Sequence, residues 1–240
     1  MTEANSFTDF LSKVGALVDN KANHFVLFRG QSDEKNLLPG IARDDNTIDT
    51  TEIEKQMLED FERRSPMLIS SLGLKDDWDR LVYAQHFGLK TRLLDWTSNP
   101  LAAIWFATNR DAQLNTNKET DSFIYAIYGT KDLVIDPRND KSPFDLKLTR
   151  VLRPTLNNPR IVAQSGWFTI HRYYDGKKFV PLEDNIDFKG GVEKFVIPAG
   201  KNKEFFKQAL LLGVSAKSLF PDVEGLCRHL NWKYLTSKKP

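Results

Sequence analysis

The sequence predicts an α+β domain: a mixed, largely antiparallel sheet with inserted and flanking helices. Three observations carry this. Short runs rich in β-branched and aromatic residues recur at residues 24–28, 122–128, 167–171 and 193–198, each bounded by turn-forming residues. Helical periodicity fills an insertion of about residues 51–110 and returns at about 201–232. The strand-like runs are far apart in the chain, so the sheet must be assembled non-locally.

Phe7, Phe10, Leu11, Val14, Leu17 and Val18 fall on one face of a predicted helix over residues 5–19. His24-Phe25-Val26-Leu27-Phe28 reads as a short strand ending at Arg29-Gly30-Gln31. That places Arg29 at a strand terminus, where sites gather in α/β sheets. Gly30 permits a sharp turn or a close approach. Residues 31–50 read as a polar loop. Thr51 and Glu54 have capping-box spacing and open a helix through Ile53, Met57, Leu58 and Phe61. Pro66 is expected to interrupt it before residues 67–69.

Asp76, Asp77 and Asp79 suit a positive helix start, and Gly88 suits the left-handed stop that ends it. Thr91, Arg92 and Asp95 follow, read as a turn. Ser98-Asn99-Pro100 then starts a helix, Leu101 to Ala107, that is apolar almost all round and therefore buried. Charges between two buried helices need partners. Arg92 and Asp95 are expected to be buried and paired with each other, with Arg29 within reach of the same cavity.

Residues 115–121 read as a linker, 133–135 as a minor strand, and 136–160 as a proline-rich connection with one helical turn. Residues 160–164 read as a strand. Residues 203–212 form an amphipathic helix stopped by Gly213, and 221–230 a last helix with Pro221 in its first turn. Cys227 falls on the expected buried face of that helix and reads as a silent core thiol. Lys238 and Lys239 belong to a frayed basic tail.

The length of 240 residues fits one domain over 1–240, with enough chain for a core. A formal net charge of +2 is too small to argue for a nucleic-acid or membrane partner. One cysteine excludes an internal disulfide and, without a visible leader or apolar span, points to a cytoplasmic protein. Four scattered histidines give no metal site. No Walker loop, dinucleotide fingerprint, His-Glu-x-x-His or Gly-x-Ser-x-Gly motif occurs.

Five ordered motifs resemble the FRG domain family: Phe28-Arg29-Gly30; Gln85-His86-Phe87-Gly88 with Thr91-Arg92-Leu93-Leu94-Asp95-Trp96; Ala103 to Ala107; Arg160 through Thr169; and Phe220 through Gly225. The resemblance spans about residues 25–230 and by itself implies no settled activity. Analogy with that family suggests a setting in mobile elements or phage defence.

A second resemblance is to mono-ADP-ribosyltransferases, in the order Leu27-Phe28-Arg29-Gly30, Trp96-Thr97-Ser98 and Gly191 through Pro198. It implies NAD as substrate and transfer to a protein or nucleic-acid acceptor. Arg29 would grip a phosphate and Glu193 would stabilise an oxocarbenium-like centre, with His86 a candidate acid or base. Arg29, Gly30, Gln31, Arg92, Thr97 and Ser98 would bind the cofactor, and Phe168 or Trp96 would stack on nicotinamide. Gln85, Thr91, Arg92, Asp95 and Gln164 would form the supporting polar network. Thr97-Ser98 at a helix cap and Gly191 two residues before Glu193 depart from that family's pattern, and Glu224 is a rival carboxylate. The alternatives are a non-catalytic nucleotide or nucleic-acid module, with Gln85, His86, Arg92 and Arg160 lining it and Tyr125, Tyr128 and Trp167 stacking, or a nuclease-type toxin using His86 or His171.

Overall fold

A central strand, β2 (Phe25–Gln31), is flanked on both sides by antiparallel neighbours, β3 (Leu93–Thr97) and β4 (Ser122–Gly129). The computed structural model describes residues 2–64, 74, 76–109, 120–137, 139, 140, 142–174, 176 and 178–236. Among these, β1 (Thr2–Glu3), β5 (Arg150–Leu152), β6 (Gly166–Ile170) and β9 (Gly191–Ile197) complete a seven-stranded sheet. Its order is β1-β9-β4-β2-β3-β6-β5, and only the β1–β9 pair is parallel. A separate ribbon joins β7 (Tyr173–Tyr174) to β8 (Lys178–Phe179).

Eight α-helices are seen among the described residues. They are α1 (Phe7–Asp19), α2 (Thr51–Arg64), α3 (Asp77–His86), α4 (Pro100–Thr108), α5 (Pro159–Ala163), α6 (Asn202–Leu211), α7 (Ala216–Leu219) and α8 (Val223–Asn231). Their starts follow local chemistry: Ser6, Asp76, Asn99, Asn158, Ser215 and Asp222 each cap a helix through a side-chain oxygen. Gly88 (φ 96°) and Gly213 (φ 91°) supply the left-handed turns after α3 and α6. No described helix is long and apolar enough to cross a membrane.

The alternation of β2 decides what each sheet face buries. Phe28 faces α1, α4 and α6, packing with Phe10, Ala103, Phe195 and Phe205. Phe25 and Leu27 face the other way, toward Leu94, Trp96, Tyr125 and Leu182. A third core joins α2 and α3 to the far strands through Leu58, Trp78, Leu81, Leu93, Phe168 and Ile170.

Several expectations are corrected. The insertion over residues 51–110 contains an interior strand, because Leu93–Thr97 extends between β2 and β6 instead of turning between helices. Residues 160–164 lie in and just after α5, where Asn158 caps and Pro159 pre-sets the first turn. β5 lies in the stretch expected to be a connection, while residues 131–133 form a 3₁₀ turn and Val134 makes an isolated bridge to Val151. Pro221 precedes the Asp222 cap and is not in α8. Cys227 is exposed. Pro66 with residues 67–69, residues 115–119 of the linker, and Lys238 and Lys239 lie outside the described residues.

Candidate functional site

The cleft begins where β2 and β3 part. Among the described residues, Phe28 opposite Thr97 is their one registered pair. Beyond it a side chain takes over from the ladder: Arg29 Nη1 donates to the Asp95 carbonyl at 2.8 Å. The same nitrogen stands 3.8 Å from Asp95 Oδ2, with the arginine side chain 17% and the aspartate side chain 62% exposed. Arg29 Nε is buried and has no hydrogen-bond partner. Burial pulls the Arg29 pKa below its ordinary value, against the raising effect of Asp95; nearby Arg43 lowers it further.

Around this opening lies a cavity of about 320 Å³, also lined by Gln85, His86, Arg160 and Gln164, with Phe106 and Phe220 among its apolar walls. Gln85 Nε2 donates to Asp95 Oδ1 at 3.0 Å, and Thr91 Oγ1 donates to Gln85 Oε1. Gln85, Thr91 and Asp95 are thus one chain of bonds linking the end of α3 to β3. His86 is held below its ordinary pKa first by burial and then by Arg160, while Asp95 and Asp222 pull the other way. Arg160 lies over the Phe220 ring at 4.8 Å, and its Nη2 is 3.3 Å from Asp222 Oδ2. Its Nε, like that of Arg29, is buried without a partner.

Arg92 is elsewhere. It is 2% exposed and pairs with Glu54 on α2, Nε to Oε2 at 2.7 Å, while its backbone N–H donates to Glu54 Oε1 at 2.7 Å. The expected Arg92–Asp95 contact does not form. Three residues apart would be neighbours on a helix, but an odd separation in extended chain directs the two side chains to opposite faces. The Glu54 carboxylate, read from spacing as part of a capping box, serves Arg92 instead.

The remaining residues divide plainly. Gly30 lines the cleft, but the side where a Cβ would stand is filled by α4: an added Cβ would lie 1.9 Å from the Ala103 carbonyl oxygen. Thr97 Oγ1 donates to the Gln164 carbonyl at 2.6 Å and accepts from Asn99 N–H at 3.0 Å. The start of α4 is closed internally by Asn99, which accepts from Leu101 N–H at 2.9 Å. Ser98 is exposed, Gln31 accepts from Lys35 N–H at 3.2 Å, and neither lines the cleft. Phe168 is core, and Trp96 lines the cleft in its place.

Glu193 is not brought to Arg29. Arg29 registers with Tyr125, and Tyr125 with Lys194, so Glu193 is one residue off and points to the opposite face, where it accepts from Thr2 Oγ1 at 3.2 Å. Glu224 is exposed and paired with Arg228. His171 is buried; its Nε2 is 3.0 Å from Thr169 Oγ1, which accepts from Trp96 Nε1 at 3.0 Å. Sequence reasoning passed over Glu54, Phe106 and Asp222. As local signals, Glu54 had only capping-box spacing and Asp222 only its fit to a positive helix start.

A larger recess of about 580 Å³ between α6 and the C-terminal helices is walled mainly by Phe206, Leu210, Leu211 and Trp232. Its titratable side chains are Lys207 and His229, so the convergent polar chemistry is in the smaller cleft. No group of residues suited to a metal occurs among the described residues.

An arginine-lined cleft thus lies beside the end of a central strand on a mixed α/β scaffold. Residues 24–116 match the family model of the FRG domain, so that segment of the chain is similar to an FRG domain. Of the FRG tripeptide, Phe28 faces the helix-side core, Arg29 enters the cleft, and Gly30 lets α4 close on β2. The matched segment stops short of Arg160, Gln164 and Phe220, so part of the cleft comes from sequence beyond it. No curated protein and no solved structure matches the chain.

Proposed function

We propose that the cleft binds a phosphate-bearing nucleotide, with NAD the first ligand to test. The carrying observation is that Arg29 and Arg160 both line it, each with a buried Nε lacking a partner. Buried donors without acceptors are costly, and a phosphate offers several strong acceptors to guanidinium forks. Phe106, Phe220 and Trp96 supply apolar walls suited to a base or nicotinamide ring. A cavity of about 320 Å³ is at the small end of ligand sites.

Binding, rather than transfer, is what the geometry favours. Asp95 is the acid lining the cleft, and Glu193 stands apart from it. Transfer to a protein or nucleic-acid acceptor would be read as nicotinamide release from NAD. The test is calorimetry with NAD, ADP-ribose and ATP. Arg29→Ala should weaken binding by roughly tenfold or more, the worth of a charge-assisted bond. Arg29→Lys should not restore it, because an ammonium lacks the fork. No binding at millimolar ligand, or binding indifferent to Arg29→Ala, rejects the nucleotide site.

A further inference from the structure

We propose that Asp222 is a built-in competitor for the anion: its carboxylate occupies Arg160 in the free cleft and is displaced when a phosphate group arrives. The proposal rests on reading the cleft as an anion site. Its basis is a division of labour between two oxygens. Asp222 Oδ1 accepts from Gly225 N–H at 2.7 Å and caps α8, while Oδ2 faces Arg160 Nη2 at 3.3 Å.

The first contact is short and belongs to the helix. The second is longer than the roughly 2.7–3.2 Å of an ordinary N–H···O bond, and the aspartate side chain is 45% exposed. Losing the second contact therefore costs the helix nothing. Arg160 does not depend on Asp222 for its position either. Its guanidinium rests on the Phe220 ring, and its stem leaves α5 at the first turn. The cleft thus holds a pre-placed cation with a weak, local anion as partner. Asp95 is not equivalent, because Arg29 bonds to its main-chain carbonyl at 2.8 Å while its carboxylate stands farther off, at 3.8 Å.

Removing a negative charge without removing the cap should tighten binding. Asn caps helices as well as Asp does, so Asp222→Asn isolates the effect, and Asp222→Ser is the second capping variant should Asn impair folding. Glu224→Gln is the control: it removes one charge from the same helix while leaving Arg160 and Asp222 paired.

The experiment is calorimetry of inorganic pyrophosphate and ATP against these chains at one salt concentration. Asp222→Asn should bind about two- to fivefold more tightly, the worth of an exposed ion pair, and Glu224→Gln should match wild type. Equal affinity in wild type and Asp222→Asn, or equal tightening by Glu224→Gln, overturns the competitor while leaving the nucleotide site standing. Tightening toward pyrophosphate with no ATP binding upholds the competitor and rejects the nucleotide reading. Binding of neither probe to any chain rejects both.

Discussion

Glu54 and Arg92 are buried against each other, 0% and 2% exposed, with the carboxylate divided between the arginine's Nε and its backbone N–H. Thr51 Oγ1 accepts a further bond from Arg92 Nη2 at 3.2 Å, and the Phe144 ring lies 4.7 Å from the guanidinium. α2 is thereby tied to the residue that leads into β3. Burial raises the Glu54 pKa, against the lowering pull of Arg92.

Glu54→Ala should cost on the order of 3–5 kcal/mol, because it leaves a buried guanidinium without its counter-charge and a buried N–H unpaired. Glu54→Gln, which keeps one acceptor, should cost less. Asp95→Ala, at an exposed position, should cost under about 1 kcal/mol. Urea midpoints rank the three, and an Asp95→Ala loss equal to that of Glu54→Ala would contradict the pairing described.

Gly30→Ala tests the contact between β2 and α4. The new Cβ would meet the backbone of α4, Ala103 O at 1.9 Å and Ala107 N at 2.6 Å. Neither is the mobile end of a side chain, so strand and helix must separate. The expected loss is on the order of 3 kcal/mol, at the upper end of overpacking. An unchanged thermal melt would mean the two elements are not in such close contact.

His171 should make stability fall on acidification. Thr169 Oγ1 accepts from Trp96, which leaves its own proton for His171 Nε2 and favours the neutral ring. Burial brings the folded-state pKa from 6.5 to about 3. Between those values the unfolded chain binds a proton that the folded one does not. This contribution is complete above pH 6.5 and is lost as pH falls toward about 3, with a slope of up to about 1.4 kcal/mol per unit. Denaturation at pH 7, 6 and 5 should show a shallower decline for His171→Gln; an identical slope would reject the assignment.

Sequence alone carried the elements whose signals are local. Capping aspartates and asparagines, the stop at Gly88 and the all-round apolar α4 place helices without tertiary information. Leu93–Thr97 was missed because two buried pairs around one exposed aspartate carry no alternation, and between two strong helices such a short stretch reads as a turn. Residues 160–164 were misread because Ile161 and Val162 favour strands, while Asn158-Pro159 starts a helix. Cys227 was assigned to a core that does not cover it: Val223, Leu226 and Leu230 along the same helix are also exposed. Arg92 required a partner, and its burial followed from that logic. The partner's identity did not, since Glu54 lies 38 positions away and pairing over such distances leaves no periodic trace.

The strand order has a kinetic consequence. β2 takes its neighbours from the segments that begin at Leu93 and Ser122, and β3 takes β6 from beyond Gly166. No two consecutive strands of the large sheet up to β4 can close as a local hairpin, because α1, then α2 and α3, then α4 intervene. The loop entropy of these long closures falls due before the contacts that offset it. Folding should therefore be slow for a chain of this size, and the polar cleft, assembled from both sides of those closures, is among the last features to exist during each passage to the native state.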